Sequence, residues 1–136
     1  MRSYLLDTSV IINYLRGKKQ TVELIDKIEG EMCSSFICLA ELFEGVYRAN
    51  NKLEIKDAIT NFFKSLSEVY SVDSEIAEYF GKIRSDLKVK GNVIEDIDIF
   101  LAATCLAYDL VLVTDNVKHF SRVKNLKIYN DVKEIN

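Results

Sequence analysis

The stretch that decides the fold is Leu110-Val111-Leu112-Val113-Thr114-Asp115. Its run of consecutive apolar residues has no polar face, so a strand at 111–114 is expected to be buried on both sides. Strands of this kind are typical of a parallel sheet that is covered by helices. The sequence therefore predicts an α/β fold with an acidic residue directly after a buried strand.

The segments before this strand alternate between strand and helix patterns. Short runs predict further strands at 3–6, 32–36 and 68–72, and a last edge strand at 127–129. Helical spacing of apolar residues predicts helices at 10–15, 21–28, 38–48, 53–66 and 97–108, and one more between a capping Asp73 and a closing Gly91. Thr8 or Ser9 is expected to cap the first helix. This order predicts an α/β/α sandwich with a central parallel sheet of four to five strands.

Composition limits the classes of protein that the chain can belong to. Its 136 residues, 49% of them hydrophobic, predict one domain over residues 1–136 with a substantial core. A net charge of −3, without any long run of like charges, excludes a basic arm that binds nucleic acid. Contact with nucleic acid must then come from a local patch or through a metal ion.

The cysteines and the apolar runs indicate where the protein is found. Cys33, Cys38 and Cys105 are odd in number and lie in apolar surroundings, as reduced core cysteines of cytosolic proteins do. No signal sequence is recognisable, and no run approaches the ~18 apolar residues of a membrane span. We therefore expect a soluble, cytoplasmic protein with no membrane partner.

Four acidic residues lie inside or at the end of apolar segments, where charge is unfavourable. Asp7 ends one predicted strand and Asp115 another, while Glu41 and Asp98 lie in mostly apolar helices. Burying a carboxylate that has no partner costs several kcal/mol. None of the four segments contains a Lys or Arg that could neutralise the acid.

A divalent cation is the natural counter-charge if these acids converge. Asp7 and Asp115 both follow strands, and parallel sheets bind ligands beyond the carboxyl ends of their strands. Two carboxylates ~4 Å apart repel by about 4 kcal/mol at an effective dielectric constant near 20. Oxygen ligands without His or Cys favour Mg²⁺, or Mn²⁺ as its substitute, over Zn²⁺. Such an ion suits hydrolysis of a phosphodiester by an activated water.

Each acid also has an ordinary structural explanation when it is considered alone. Asp7 could cap a helix, Asp98 could stabilise the first turn of one, and Glu41 could be solvated on a helix surface. Asp115 before Asn116 could belong to a turn. The catalytic hypothesis is favoured because all four acids fall at one edge of the predicted sheet.

The same segments resemble the PIN-domain nucleases, and in particular the VapC-type toxins of prokaryotic toxin–antitoxin systems. The resemblance covers the whole chain in order, through Leu5-Leu6-Asp7-Thr8-Ser9-Val10-Ile11-Ile12, Leu39-Ala40-Glu41-Leu42 with Gly45, Asp98-Ile99-Phe100-Leu101-Ala102-Ala103, and Val113-Thr114-Asp115-Asn116 with Phe120. It implies an Mg²⁺-dependent endoribonuclease with an RNA substrate and a cognate antitoxin. It also implies a homodimer.

By this resemblance, Asp7, Glu41 and Asp98 are the core catalytic acids, with Asp7 and Asp98 as metal ligands. The fourth position is divided between Asp115 as a carboxylate and Asn116 as a neutral ligand or hydrogen-bond donor.

Neighbouring polar residues are expected to have supporting roles. Thr114, and Thr8 or Ser9, could donate hydrogen bonds to the metal-binding carboxylates. Asp96 is expected to start the helix that carries Asp98 and to point away from it. His119, the single histidine of the chain, is expected at the site entrance as a surface residue or a phosphate contact.

Basic residues that could contact RNA occur in two groups. The candidates are Arg16, Lys18 and Lys19, and Lys82, Arg84, Lys88 and Lys90. Acidic residues are mixed with them, which favours a solvated helix face.

Two other functions remain open from the sequence. A receiver-type module that accepts a phosphoryl group also places acids and Mg²⁺ at strand ends. The chain lacks the acidic pair and the late lysine expected there. A solitary RNA-processing or non-catalytic PIN domain is the other alternative.

Overall fold

The computed structural model describes residues 1–129, and its core is a parallel sheet of four short strands. The strands are β1 Ser3–Leu6, β2 Glu31–Ser35, β3 Glu68–Tyr70 and β4 Val111–Val113. The helices are α1 Thr8–Leu15, α2 Lys19–Lys27, α3 Phe36–Tyr47, α4 Lys52–Lys64, α5 Ser74–Val89, α6 Asp96–Tyr108 and α7 Val117–Phe120.

The strand order in the sheet is β3-β2-β1-β4, and all three pairings are parallel. From β1 to β3, each strand lies beside the previous one in the same direction across the sheet. The last strand, β4, lies on the other side of β1. Leu5 is paired with Leu112 across this junction. Such a reversal of strand order opens a crevice beyond the carboxyl ends of the two strands. Asp7 and Asp115 follow these two strands.

The predicted α/β architecture is confirmed, with the sheet at the lower end of the predicted size. The last predicted strand, at 127–129, is reduced to a single parallel bridge between Leu112 and Ile128. Two backbone hydrogen bonds support this bridge: Leu112 donates to Lys127 at 2.9 Å, and Tyr129 donates to Leu112 at 2.8 Å.

Packing of the sheet explains why the decisive segments are apolar. Leu5, Leu112 and Ile99 are fully buried, and α6 buries residues around most of its circumference. Phe120 is also fully buried and anchors α7 to the core. All three cysteines are buried and free, as expected.

The start of α1 differs from the prediction. The helix begins at Thr8, and its cap is Asp7 rather than Thr8 or Ser9. The reason is that Asp7 Oδ1 accepts the backbone N–H of Thr8 at 2.7 Å, which satisfies one of the free donors of the first turn. The first catalytic candidate therefore also initiates the helix that follows it.

Other helix ends agree more closely with the sequence. Asp73 caps α5 by accepting the N–H of Ile76 at 2.9 Å, and Gly91, at φ +68°, follows its last turn. The short helix α7 was not predicted. Within residues 1–129, no helix has the length and apolar character needed to cross a membrane.

Candidate active site

Asp7 lies at the crevice between β1 and β4 and is the most buried acid there, with 7% of its surface exposed. Its backbone N–H donates to Val113 at 3.0 Å, which continues the ladder between the two strands. Its Oδ1 is held by the N–H of Thr8, and its Oδ2 accepts the hydroxyl of Thr114 at 2.7 Å. The carboxylate is therefore fixed from both sides.

The electrostatic environment of Asp7 is unfavourable for its charge. Burial raises the pKa of Asp7 above its ordinary value, and the charge of Asp115 raises it further. The hydrogen bonds from Thr114 and Thr8 lower the pKa and so oppose this effect. Neutral donors, rather than a basic side chain, thus offset part of the cost of ionising Asp7.

Glu41 reaches the same crevice from α3, where its side chain is half-buried. The hydroxyl of Thr8 donates to Glu41 Oε1 at 2.5 Å, although 33 residues separate them in sequence. Thr8 therefore links two candidate acids, through its backbone to Asp7 and through its hydroxyl to Glu41.

Asp98 enters from the first turn of α6 and is also half-buried. Burial, followed by the charges of Asp7, Glu95 and Glu41, raises its pKa from 3.8 to about 6. His119 opposes this increase. Asp7 and Glu41 are therefore close enough to Asp98 for their charges to affect it.

The fourth position contains both of its candidates, in different roles. Asp115 is exposed, and its Oδ2 accepts a hydrogen bond from Asn13 Nδ2 at 3.1 Å. Asn116 donates its backbone N–H to Thr114 Oγ1 at 2.9 Å, and its side-chain nitrogen lies 2.8 Å from His119 Nδ1. Asp115 thus supplies charge at the rim, while Asn116 connects Thr114 to His119.

Asn13 was missed by the sequence analysis. It is a polar residue inside α1, which is otherwise mostly apolar and follows directly after Asp7. A polar side chain in that setting is the signal that could have identified it.

Asp96 lies outside this cluster, as its expected role at the helix start required. It is the first residue of α6 and forms an ion pair with Arg84 at 2.9 Å. Two further basic candidates are also paired with acids, Lys82 with Glu78 at 3.6 Å and Lys90 with Asp86 at 3.0 Å. These pairs agree with a solvated helix face.

The carboxylates of Asp7, Glu41 and Asp98 are chemically suited to a hard divalent cation, although their side chains do not converge on a single point. Within residues 1–129, no three His, Cys, Asp or Glu side chains are placed to hold a metal ion as they stand. In the same part of the chain, Asp7, Glu41 and Asp98 form no ion pair with Lys or Arg. Carboxylates without a basic partner are the oxygen ligands that Mg²⁺ and Mn²⁺ prefer.

An apolar cleft of about 460 Å³ begins beside Glu41 and runs between α1, α3 and α4. Its walls include Ile12, Leu42 and Ile55, and Arg16 lies on its rim. Glu41 therefore belongs both to the acid cluster and to this groove. The groove is mostly apolar, whereas a surface that binds nucleic acid is usually polar and basic.

Comparison with known proteins identifies the class. The sequence model described as PIN domain matches residues 4–126. Ribonuclease VapC1 of Methanocaldococcus jannaschii is 36% identical over 128 residues, which is 93% of this chain and 86% of the relative. The chain therefore belongs to the PIN domain family and, within it, to the VapC ribonucleases.

Two further comparisons support this placement. The tRNA(fMet)-specific endonuclease VapC of Shigella flexneri is 30% identical over 128 residues, 93% of this chain and 96% of that protein. The VapBC2 structure from Rickettsia felis, bound to a DNA fragment from their promoter, superposes with a TM-score of 0.86 at 26% identity and covers 94% and 98% of the two chains. The prediction of a PIN-domain nuclease is confirmed, and the receiver-type alternative loses its support.

Proposed function

We propose that the chain is an Mg²⁺-dependent endoribonuclease whose catalytic acids are Asp7, Glu41, Asp98 and Asp115. It is the toxin of a type II toxin–antitoxin pair. One observation carries this proposal: burial and the charges of Asp7 and Glu41 raise the pKa of Asp98 to about 6. A site that concentrates negative charge in this way favours binding of a cation at neutral pH.

The residues of the site have two roles, which are binding the cation and orienting the acids that bind it. Asp7 and Asp98 would hold the cation, with Glu41 and Asp115 adding negative charge around it. Thr114 and Thr8 fix Asp7, and Thr8 also fixes Glu41. A divalent cation held by these residues would supply activation of a water and neutralisation of charge on a phosphate.

RNA as the substrate is supported by the relatives. The matched proteins from M. jannaschii and S. flexneri are named as a ribonuclease and a tRNA-specific endonuclease. We infer an RNA phosphodiester as the bond that is cleaved. The anionic site would repel the RNA backbone without a cation, so the metal also permits substrate binding.

The partner is inferred to be a cognate antitoxin that covers the site. The superposable VapBC2 structure and the cleft beside Glu41 support this inference, because an open groove with mostly apolar walls suits a protein segment rather than RNA. A single PIN domain over residues 1–136, a homodimer and a cytoplasmic location complete the proposal. A short reading frame immediately upstream would support the toxin role, and its absence would favour a solitary RNA-processing enzyme.

Cleavage of RNA by the purified chain tests the function directly. A transfer-RNA pool is incubated with the chain and Mg²⁺, and a parallel sample contains EDTA. We expect cleavage only with Mg²⁺, and a loss of at least about 100-fold in Asp98→Asn, because one metal ligand is removed. Asp96→Asn is the matched control, since it changes a neighbouring acid of α6 that pairs with Arg84.

Two results would overturn the proposal. One is undiminished Mg²⁺-dependent cleavage by Asp98→Asn. The other is absence of cleavage by the unmodified chain in Mg²⁺, which would favour a non-catalytic PIN domain.

A further inference from the structure

His119 is held beside the acid cluster by a defined hydrogen bond and has no role in the site described so far. Its Nδ1 lies 2.8 Å from the side-chain nitrogen of Asn116. A carboxamide nitrogen can only donate, so Nδ1 of the neutral ring accepts. The ring proton therefore lies on Nε2, and Asn116 selects this tautomer.

A chain of hydrogen bonds ties this ring to the most buried acid. Asn116 donates its backbone N–H to Thr114 Oγ1, and the hydroxyl of Thr114 donates to Asp7 Oδ2. On the other side of His119, the fully buried Phe120 anchors α7 in the core. The position of the imidazole relative to Asp7 is thus set by the fold, although the ring itself is exposed.

The ring also lies within the electrostatic range of the cluster. A charge on this ring would lower the pKa of Asp98, which comes from a different helix. Arg84 of α5 pairs with Asp96, which lies outside the acid cluster. His119 is therefore a nitrogen donor placed next to an otherwise acidic site.

We propose that His119 is a substrate-binding residue that donates its Nε2 proton to a phosphate oxygen of the RNA, and that Asn116 is the positioning residue that fixes its tautomer. The inference rests on the proposed ribonuclease function. A protonated Nε2 cannot ligate a metal ion, whereas it suits an anionic oxygen. The Nε2–H group of His119 would add a directional hydrogen bond to the phosphate, in addition to the charge that the metal ion supplies.

Replacements that imitate one ring nitrogen each provide the test. In His119→Gln the side-chain amide reaches the position of Nε2 and keeps the donor. In His119→Asn the amide reaches only the position of Nδ1, so the donor to the phosphate is lost. Kinetics are measured with one labelled transfer RNA that the unmodified chain cleaves in Mg²⁺.

We expect KM to rise about ten-fold in His119→Asn and less than about three-fold in His119→Gln, with kcat little changed in both. Asn116→Ala should raise KM in the normal background and should add nothing in the His119→Asn background, because its effect passes through the ring. Binding of Mn²⁺ should be the same in all of these variants.

Four outcomes would overturn the inference. An equal rise in KM in His119→Gln and His119→Asn would show that substrate binding does not depend on the Nε2 donor. A fall in kcat with unchanged KM would indicate proton transfer in place of binding. Weaker Mn²⁺ binding by His119→Asn would make the residue part of the metal site. If the unmodified chain cleaves RNA while His119→Asn behaves identically, this inference fails and the proposed function stands.

Discussion

Replacing Asp98 by Asn should stabilise the metal-free protein at neutral pH. Asp98 has a pKa of about 6 in the folded chain, against an ordinary value of 3.8, because burial and the charges of Asp7, Glu95 and Glu41 disfavour its ionised form. As the pH rises from about 4 to about 6, the unfolded chain releases this proton before the folded chain does. The Asp98 carboxyl therefore costs stability progressively over this range and costs most above pH 6.

The size of this cost follows from the two pKa values. Their difference corresponds to at most about 3 kcal/mol. Because Asp98 is only half-buried, solvent screening reduces the expected cost to about 1–2 kcal/mol. Asn has nearly the same shape without the charge, so Asp98→Asn should recover this amount.

Urea unfolding with EDTA measures the effect. We expect the free energy of unfolding of Asp98→Asn to exceed that of the unmodified chain by about 1–2 kcal/mol near pH 7.5, and this gain to shrink by more than half near pH 4.5. The control is Asp96→Asn, which loses an exposed ion pair with Arg84 and should cost less than about 1 kcal/mol. Destabilisation by Asp98→Asn near pH 7.5, or an equal gain at both pH values, would refute the electrostatic reasoning.

Two pairs of substitutions give further predictions. A Cβ at Gly30 would lie 2.5 Å from a backbone oxygen and 2.7 Å from the Tyr4 ring, so Gly30→Ala should cost about 1–3 kcal/mol in urea unfolding. Gly81→Ala, in open space inside α5, should add about 0.5–1 kcal/mol, and a loss there would contradict the helix assignment. Thr114→Val removes a hydrogen bond that lowers the pKa of Asp7, so the acid limb of the cleavage profile should move to higher pH, whereas Thr114→Ser should leave it in place.

The sequence predicted the fold well where one physical cause dominates. The run at 110–115 has no polar face, so it fits only a strand that is covered on both sides, and the structure places it beside β1. The edge at 127–129 was less predictable, because a single bridge depends on how close Ile128 comes to Leu112. The cap of α1 was assigned to the wrong residue because Thr8 and Ser9 are equally good caps by composition, whereas Asp7 is placed there by the end of β1.

Within the site, the sequence singled out the acids as candidates but did not predict the hydrogen bonds that orient them. Asp7, Glu41 and Asp98 stand out because charge is rare in apolar segments. Their partners come from distant positions, as in the bond from Thr8 to Glu41, and only the folded chain brings these together. The pairing of Asn116 with His119 depends on α7, a helix too short to produce a periodic pattern.

Binding of Mn²⁺ to the purified chain tests most directly whether the acids form a metal site. Free Mn²⁺ is measured by electron paramagnetic resonance during titration of the unmodified chain, Asp98→Asn and Asp96→Asn. We expect the unmodified chain and Asp96→Asn to bind alike, and Asp98→Asn to bind at least about ten-fold more weakly. Equal binding by Asp98→Asn would contradict the account.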